Sequence, residues 1–193
     1  MASEYIDTYY RRTLADADTY YPPLAGADSA DVCVVGGGLA GLSTALELAR
    51  RGRGVTLLEG RRIAWGASGR NGGSVSPAFS AGADAIRRHV DGDHYRQLYR
   101  LSMEGVEIIR ANIRDLRIEE ARKVDGRLRV VRYEATDALR QWCDDQRRDF
   151  GRDVRFLSRN EVRERLLSDV YFQGVDDPTS FHFHPLYYAP ALA

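Results

Sequence analysis

The stretch Asp31–Glu59 has the strongest local pattern in the chain, with apolar runs on either side of a cluster of glycines. Val32, Val34 and Val35 form the apolar, β-branched run that is typical of a strand buried on both faces of a parallel sheet. We therefore expect Cys33, which lies within this run, to be a small buried residue. A glycine turn, a helical pattern and a second apolar segment follow. The order predicts a β-α-β unit that ends at an acid.

The turn after the first predicted strand has the spacing Gly36-x-Gly38-x-x-Gly41, with Gly37 inside it. The first glycine permits a tight turn, the second lets the backbone approach a pyrophosphate, and the third lets helix and strand pack closely. The helix that begins here would direct its free N–H groups and the positive end of its dipole at a diphosphate. Gly52 stands where a C-terminal cap belongs.

The acid after the second predicted strand is Glu59, roughly 20 residues beyond the first glycine. At this position its carboxylate can accept hydrogen bonds from a ribose 2′-hydroxyl. An acid here disfavours a 2′-phosphate, and so disfavours NADP. The fingerprint predicts a dinucleotide site but does not separate FAD from NAD. The alternative is a β-α-β unit without a ligand.

Length and charge exclude several classes of protein. The 193 residues suffice for one sizeable domain, or for one domain and part of a second. The 28 basic and 28 acidic residues balance, so no bulk field attracts nucleic acid or an anionic membrane. No apolar run is long enough to cross a bilayer, and the first residues lack a signal region, so we expect a cytoplasmic protein. Oligomeric state is left open.

Helical and strand periods alternate along the rest of the chain. After an arm over residues 1–30, the patterns predict helices over 92–121 and 136–150 and from a Ser158–Glu161 capping box, and strands over 127–132, 154–157, 170–175 and 180–183. An Asp177-Pro178 turn would separate the last two strands. The fold class is therefore mixed α/β. We expect three parts: the arm, a dinucleotide-binding portion over 31–91, and a region over 92–193.

A second glycine-rich segment, Gly66-Ala-Ser68-Gly-Arg70-Asn71-Gly72-Gly73, follows the β-α-β unit. Small residues at this density suit a backbone that presses against a flat or charged ligand, with successive N–H groups forming an anion-binding concavity. A flexible surface loop is the alternative.

The β-α-β unit joined to this segment resembles the FAD-dependent oxidoreductases of the D-amino-acid oxidase superfamily, especially its γ-glutamylputrescine oxidase-like branch. That branch also has a paired tyrosine in an N-terminal arm, here Tyr20-Tyr21, and a mid-chain segment similar to His184-Pro185 that opens a helix. The resemblance implies a Rossmann-like FAD-binding portion followed by the beginning of a substrate domain. It covers nearly the whole chain.

The resemblance also implies roles for individual residues. The pyrophosphate, the adenosine end and the flavin ring would be held by Gly36, Gly37, Gly38, Gly41, Glu59, Arg61, Ser68, Arg70, Asn71, Gly72 and Gly73. The segment contains neither His nor Cys, which some relatives use to attach flavin, so noncovalent FAD is expected. Arg70 could stabilise negative charge on the reduced ring. The sequence assigns no catalytic residue.

The reaction implied by the resemblance is oxidation of a C–N bond in a small amine or amino acid. A hydride equivalent passes to flavin N5, the imine is hydrolysed, and dioxygen takes the electrons to give hydrogen peroxide. Family members run to roughly twice this length, so we expect an N-terminal portion that is inactive alone. The alternatives are a non-catalytic dinucleotide-binding module and, disfavoured by the second glycine segment, an NAD-dependent dehydrogenase.

Metal chemistry has little support in the sequence. His182 and His184 would lie on one side of a strand, but no third ligand with suitable spacing is evident. Cys33 and Cys143 are too far apart in sequence for a C-x-x-C motif, so they suggest neither zinc nor a disulfide framework.

Overall fold

The computed structural model describes residues 5–15 and 21–193, which divide into two units. The first unit contains the described residues up to Gly73, with Asn112–Arg122 and Phe183–Ala193; the second contains Ser74–Ala111 and Lys123–His182. The helices are α1 (Tyr9–Arg12), α2 (Leu39–Arg50), α3 (Ala83–Arg87), α4 (Gly92–Asp115), α5 (Thr136–Phe150), α6 (Arg159–Leu166) and α7 (Pro185–Tyr188). The strands are β1 (Val32–Val35), β2 (Val55–Leu58), β3 (Ser74–Val75), β4 (Val124–Val130), β5 (Arg155–Leu157) and β6 (Gly174–His182). Short 3₁₀ turns cover Ala67–Gly69, Glu119–Ala121 and Pro190–Leu192.

The first unit contains the β-α-β arrangement that the sequence predicts. Strands β1 and β2 pair in parallel from Val32↔Val55 to Val35↔Leu58, and α2 connects them and packs on both. Helix α2 is followed by Gly52 at a φ of +75°, the left-handed conformation that glycine adopts at helix ends. The mixed α/β class is confirmed.

The expectation that β1 is buried on both faces is wrong. Its burial alternates along the strand, Cys33 is exposed, and Val35 is 83% exposed. Residues two apart in a strand share a face, so both side chains lie on the same side of the sheet. Within the described residues, β1 hydrogen-bonds β2 alone and α2 packs on the sheet, which leaves the face of Cys33 uncovered.

The second unit is built on an antiparallel sheet with β6 at its centre. Strand β4 pairs along one edge of β6, while β3 and β5 share the other edge. The predicted turn at Asp177-Pro178 is wrong, because β6 runs through it without a break. The register of β4 shifts between Asp125 and Arg127, at Gly126 with a φ of +91°. A bulge of this kind interrupts the ladder next to Pro178, which has no N–H to donate.

The predicted helices are present, but α4 ends at a different residue from the one that the sequence predicts. Helix α5 has the predicted bounds, and the Ser158–Glu161 capping box opens α6. Helix α4 ends at Asp115, six residues before its predicted end. Arg117 has a φ of +53°, and the Ile118 N–H returns to the Ile113 carbonyl, which is a helix-ending arrangement. No helix in residues 5–15 and 21–193 has the length and apolarity needed to span a membrane.

A buried ion pair in the second unit joins Arg152, which follows α5, to Asp177 in β6. Arg152 and Asp177 have side chains that are 3% and 10% exposed, and Arg152 Nη2 lies 2.5 Å from Asp177 Oδ2. Burial by itself would raise the pKa of Asp177, but hydrogen bonds from Ser180 and Thr179 and the charge of Arg152 outweigh it, so the pKa is lowered. The Asp177 carboxylate therefore stays ionised at a lower pH than an ordinary aspartate does.

We predict that Asp177→Asn lowers the free energy of unfolding at pH 7 by about 3–5 kcal/mol, because it leaves the Arg152 charge buried without its partner. The folded-state pKa of Asp177 lies below the unfolded value, so its stabilisation is present above about pH 4 and is lost as the pH falls through the folded pKa. Urea unfolding from pH 7 downward would show a smaller acid-side loss of stability in the variant.

The matched control is Asp176→Asn at the neighbouring residue, whose carboxylate pairs with the more exposed Arg155 and Arg165. It should cost about 1 kcal/mol or less. Equal losses for the two variants would contradict the buried-pair account.

Candidate functional site

The glycine turn places the start of α2 directly against the end of β1. Gly36 has a φ of +106°, and its N–H donates to the Leu58 carbonyl across the sheet at 2.7 Å. A Cβ atom on Gly41 would lie 1.9 Å from the Gly36 carbonyl oxygen. No side chain tolerates that distance, so glycine at position 41 is what allows the first turn of α2 to approach the strand.

Glu59 lies beside the glycine turn and is half-buried. Its Oε2 accepts the Gly37 N–H at 2.7 Å, and its Oε1 accepts the Arg61 N–H at 2.8 Å. The Gly37 carbonyl in turn accepts the Ala64 N–H at 2.8 Å. A Cβ on Gly37 would lie 2.6 Å from Ile63 Cδ1 and 3.1 Å from Glu59 Oε2. The glycine therefore gives the carboxylate direct access to the backbone of the turn.

Ser68 caps α2 from 29 residues further along the chain. Gly38 is the N-cap residue and has no side chain to satisfy the first N–H groups, and Ser68 Oγ accepts the Leu39 N–H at 2.9 Å instead. A Cβ on Gly38 would lie 3.2 Å from this oxygen. Within residues 5–15 and 21–193, the N–H groups of Ala40 and Gly41 have no acceptor. The helix start thus offers donors to an anion.

The Gly66–Gly73 segment is held by its own hydrogen bonds, so it is an ordered loop. Asn71 Nδ2 donates to the Ser68 carbonyl at 2.9 Å, and Asn71 Oδ1 accepts the Gly73 N–H at 2.7 Å. Gly73 has a φ of +66°, and a Cβ there would lie 2.3 Å from the Phe183 carbonyl. Gly72, by contrast, is exposed and has open space around it.

Two arginines lie near the ring of Trp65. The guanidinium carbon of Arg61 is 3.8 Å from the ring centroid and that of Arg70 is 5.2 Å away, which are cation–π distances. Arg70 Nε also donates to the Gly66 carbonyl at 3.2 Å. Trp65 therefore brings together Arg61 and Arg70, which the family resemblance implies at the adenine end and at the flavin ring.

His184 connects the arm to the end of the first unit. Thr13 Oγ1 donates to the Tyr9 carbonyl at 2.8 Å, so it accepts from His184 Nε2 at 3.0 Å. The rings of Tyr10 and His184 meet edge to face at 4.9 Å. Burial lowers the pKa of His184, so the imidazole is neutral at pH 7. Tyr20 of the predicted tyrosine pair lies outside the described residues.

The structure brings together most of the residues that the sequence singles out. Gly36, Gly37, Gly38 and Gly41 meet Glu59 and Ser68 through direct contacts, Asn71 and Gly73 shape the loop that carries Ser68, and Arg61 and Arg70 share Trp65. Gly72 contacts nothing else in this group. Sequence reasoning missed the contacts of Trp65 with Arg61 and Arg70, although two arginines near a tryptophan were a visible signal. No three potential metal ligands gather in the described parts of the chain.

Residues 31–193 match a family described as FAD dependent oxidoreductase, abbreviated DAO. The chain belongs to this family. The matched range includes both glycine segments, Glu59 and the His184-Pro185 pair, so the resemblance noted in the sequence is confirmed.

Individual relatives agree with the family. The chain is 35% identical to a probable oxidoreductase OrdL of Haemophilus influenzae over 191 residues, which are 98% of this chain and 44% of that protein. It is 35% identical to the gamma-glutamylputrescine oxidoreductase of Escherichia coli over 186 residues, 95% of this chain and 43% of the relative. A glycine oxidase from Bacillus cereus superposes on 86% of this chain and 43% of its own, with a TM-score of 0.64 and 26% identity. The chain thus spans less than half the length of these relatives.

The described residues fit the diphosphate and ribose of FAD. The start of α2 has backbone donors, and the three glycines leave no side chain between this backbone and a ligand. Glu59 uses one acceptor position on each of its two oxygens, so each oxygen retains a lone pair for a ribose hydroxyl. The N–H donors at the start of α2 suit the diphosphate, and the Glu59 oxygens at the end of β2 suit the ribose hydroxyls.

We predict that Gly41→Ala lowers the free energy of unfolding by about 1–3 kcal/mol or more, because the new methyl group collides with the Gly36 carbonyl. Thermal unfolding followed by circular dichroism measures the loss. The matched control is Gly105→Ala in α4, where a Cβ meets nothing within 4 Å. That control should stabilise the protein by about 0.5–1 kcal/mol, the helix preference of alanine over glycine. If Gly41→Ala behaved as the control does, close strand–helix contact would not be required.

Proposed function

We propose that this chain binds FAD noncovalently and forms the cofactor-binding part of an oxidoreductase that oxidises a C–N bond in a small amine or amino acid. The observation that carries the proposal is the contact of Glu59 and Ser68 with one glycine turn. In this contact the Glu59 carboxylate, the proposed acceptor for the ribose hydroxyls, lies beside the N–H donors at the start of α2. Family membership supports FAD over NAD as the dinucleotide.

The proposed contacts divide among the residues by chemistry. The N–H groups at the start of α2 would hold the pyrophosphate, with Ser68 Oγ fixing the geometry of the first donor. Glu59 would hold the adenosine ribose, and Arg61 on Trp65 would lie near the adenine end. Asn71, Gly72 and Gly73 would face the flavin side. Without a His or Cys in the Gly66–Gly73 segment, no covalent attachment is expected there.

The proposed substrate class rests on the relatives. One is named for gamma-glutamylputrescine and another for glycine, and both compounds contain an amine. Bound FAD would supply the hydride acceptor and, if dioxygen reoxidises it, the route to hydrogen peroxide. The contribution of this chain would be to hold the cofactor and to place Arg70 beside it. The division into an FAD portion over 31–91 and a partial substrate domain over 92–193 remains a proposal, as does a cytoplasmic location.

A second candidate function is a dinucleotide-binding module without catalysis. Within the described residues β1 and β2 form a sheet of two strands with Val35 83% exposed, and this incomplete sheet favours a module that binds a dinucleotide without turnover. The two candidates share the cofactor site and differ in turnover. Loss of flavin colour when an amine is added anaerobically to the FAD-loaded chain would exclude the non-catalytic module, since it requires reduction by substrate.

We predict that the purified chain takes up FAD and shows the two visible absorption bands of a bound flavin, and that Glu59→Gln weakens FAD binding about 10- to 100-fold through loss of a charged acceptor. Fluorescence titration with FAD measures the dissociation constant. The matched control is Glu47→Gln on α2, whose carboxylate pairs with the exposed Arg51 and which should bind FAD unchanged. A colourless chain that does not quench FAD fluorescence would refute the proposal.

We predict that Arg70→Met makes the midpoint potential of bound FAD more negative, because a positive charge that favours the reduced ring is removed. Dye-coupled potentiometry measures this potential without a substrate. Where an amine reduces the flavin, the rate should fall by up to about 100-fold. Arg88→Met, at an exposed arginine of the second unit, is the control. An unchanged potential and rate in Arg70→Met would exclude this role.

A further inference from the structure

Residues 5–15, which we call the strap, lie against the end of the Gly66–Gly73 segment. A Cβ on Gly73 would lie 2.9 Å from Tyr10 Oη and 2.3 Å from the Phe183 carbonyl oxygen. Gly73 is buried, although the residues on both sides of it are exposed. Tyr10 of the strap and the backbone of Phe183 therefore both contribute to the burial of this glycine.

Three contacts hold the strap on the residues that follow β6. His184 Nε2 lies 3.0 Å from Thr13 Oγ1, and the His184 ring meets the Tyr10 ring edge to face. Tyr187 Oη accepts the Ala15 N–H at 2.8 Å. The strap is thus held by a buried histidine and by the tyrosine three residues after it.

The same stretch of chain also holds the glycine segment. The Phe183 N–H donates to the Gly73 carbonyl at 3.0 Å, and the His184 N–H donates to the Ala121 carbonyl at 2.7 Å. Phe183 and His184 are neighbours, so the strap and Gly73 are bound by adjacent residues. We therefore expect order in the strap and order in the glycine segment to be coupled.

The surroundings of His184 disfavour a charged imidazole. The groups that act on it are Thr13 and Tyr10 from the strap, Tyr187 from α7, and Arg122 through its charge; none of these is an acid. An imidazolium has a proton on both nitrogens, and Nδ1 is buried with no hydrogen-bond partner among the described residues. Burial and the charge of Arg122 lower the pKa of His184, and they outweigh weaker backbone interactions at Tyr10 and His184 that act the other way. The docked strap therefore favours the neutral imidazole.

We propose that neutral His184 holds the strap on the Gly66–Gly73 segment, and that protonation of His184 releases it. A released histidine has an ordinary pKa of about 6.5, so docking is complete above this pH and is lost as the pH falls below it. The effect of the strap on FAD rests on the proposed function, in which this segment faces the flavin. The strap itself does not depend on FAD.

Amide hydrogen exchange, followed by mass spectrometry of peptides that cover residues 66–73 of the chain without added FAD, tests the strap. Thr13→Val removes the oxygen that contacts His184 at nearly constant volume, and exchange in these peptides should become about 3- to 10-fold faster. The matched control, Thr44→Val, removes a hydroxyl bonded to the Ala40 carbonyl at 2.8 Å within α2 and should leave exchange unchanged. Exchange in α6 should stay the same in both variants, which distinguishes local release from global unfolding. Equal exchange in Thr13→Val and the wild type would overturn the proposal.

The pH response is measured in the same peptides, with exchange rates corrected for their intrinsic dependence on pH. Between about pH 7.5 and about pH 5.5, wild-type protection should fall by up to about tenfold, the limit set by an ordinary histidine pKa. His184→Gln can still donate to Thr13 but does not titrate, so its protection should stay constant. His89, His94 and His182 are retained in this variant, which controls for their titration. A wild type without the pH response, or the same response in His184→Gln, would overturn the role of His184.

A separate titration with FAD tests the link to the cofactor. If the Gly66–Gly73 segment faces bound FAD, Thr13→Val should weaken FAD binding about 3- to 10-fold, and Thr44→Val should bind FAD as the wild type does. A wild type that does not bind FAD would contradict the proposed function and leave the exchange experiment unaffected. Faster exchange in Thr13→Val with unchanged FAD affinity would overturn the link to the cofactor alone.

Discussion

The contact between Gly41 and the Gly36 carbonyl is the constraint on which the candidate site depends. It brings the first turn of α2 against the end of β1, closer than any side chain at position 41 would allow. Gly37 can then reach Glu59, and Gly38 can lie beside Ser68. The site is therefore a consequence of backbone packing, and its polar groups are positioned by it.

Local patterns could predict the elements of this fold, because the relevant physics is local. The β-α-β unit follows from apolar runs and glycine spacing, and the α6 capping box follows from Ser158 and Glu161 alone. The left-handed Gly52 after α2 was predictable for the same reason. Each of these features depends on a few neighbouring residues.

Features set by contacts between distant residues could not be predicted in this way. Cys33 lies in an apolar run, but its exposure depends on what covers the sheet. The Asp177-Pro178 pair has the composition of a turn, yet Asp177 pairs with Arg127 of β4, and the register shift at Gly126 accommodates Pro178 within β6. Of the candidate site, the residue types could be predicted, whereas the capping of α2 by Ser68 joins positions 29 residues apart and needed the structure.

The hydrogen bonds of Glu59 and Ser68 also explain how the site can be ordered and still bind a ligand. Ser68 Oγ accepts from the helix, and because a hydroxyl also donates, its proton is available for a phosphate oxygen. Glu59 satisfies two backbone donors and keeps lone pairs on both oxygens. Each side chain therefore stabilises the fold and, in the proposed function, would also contact the cofactor.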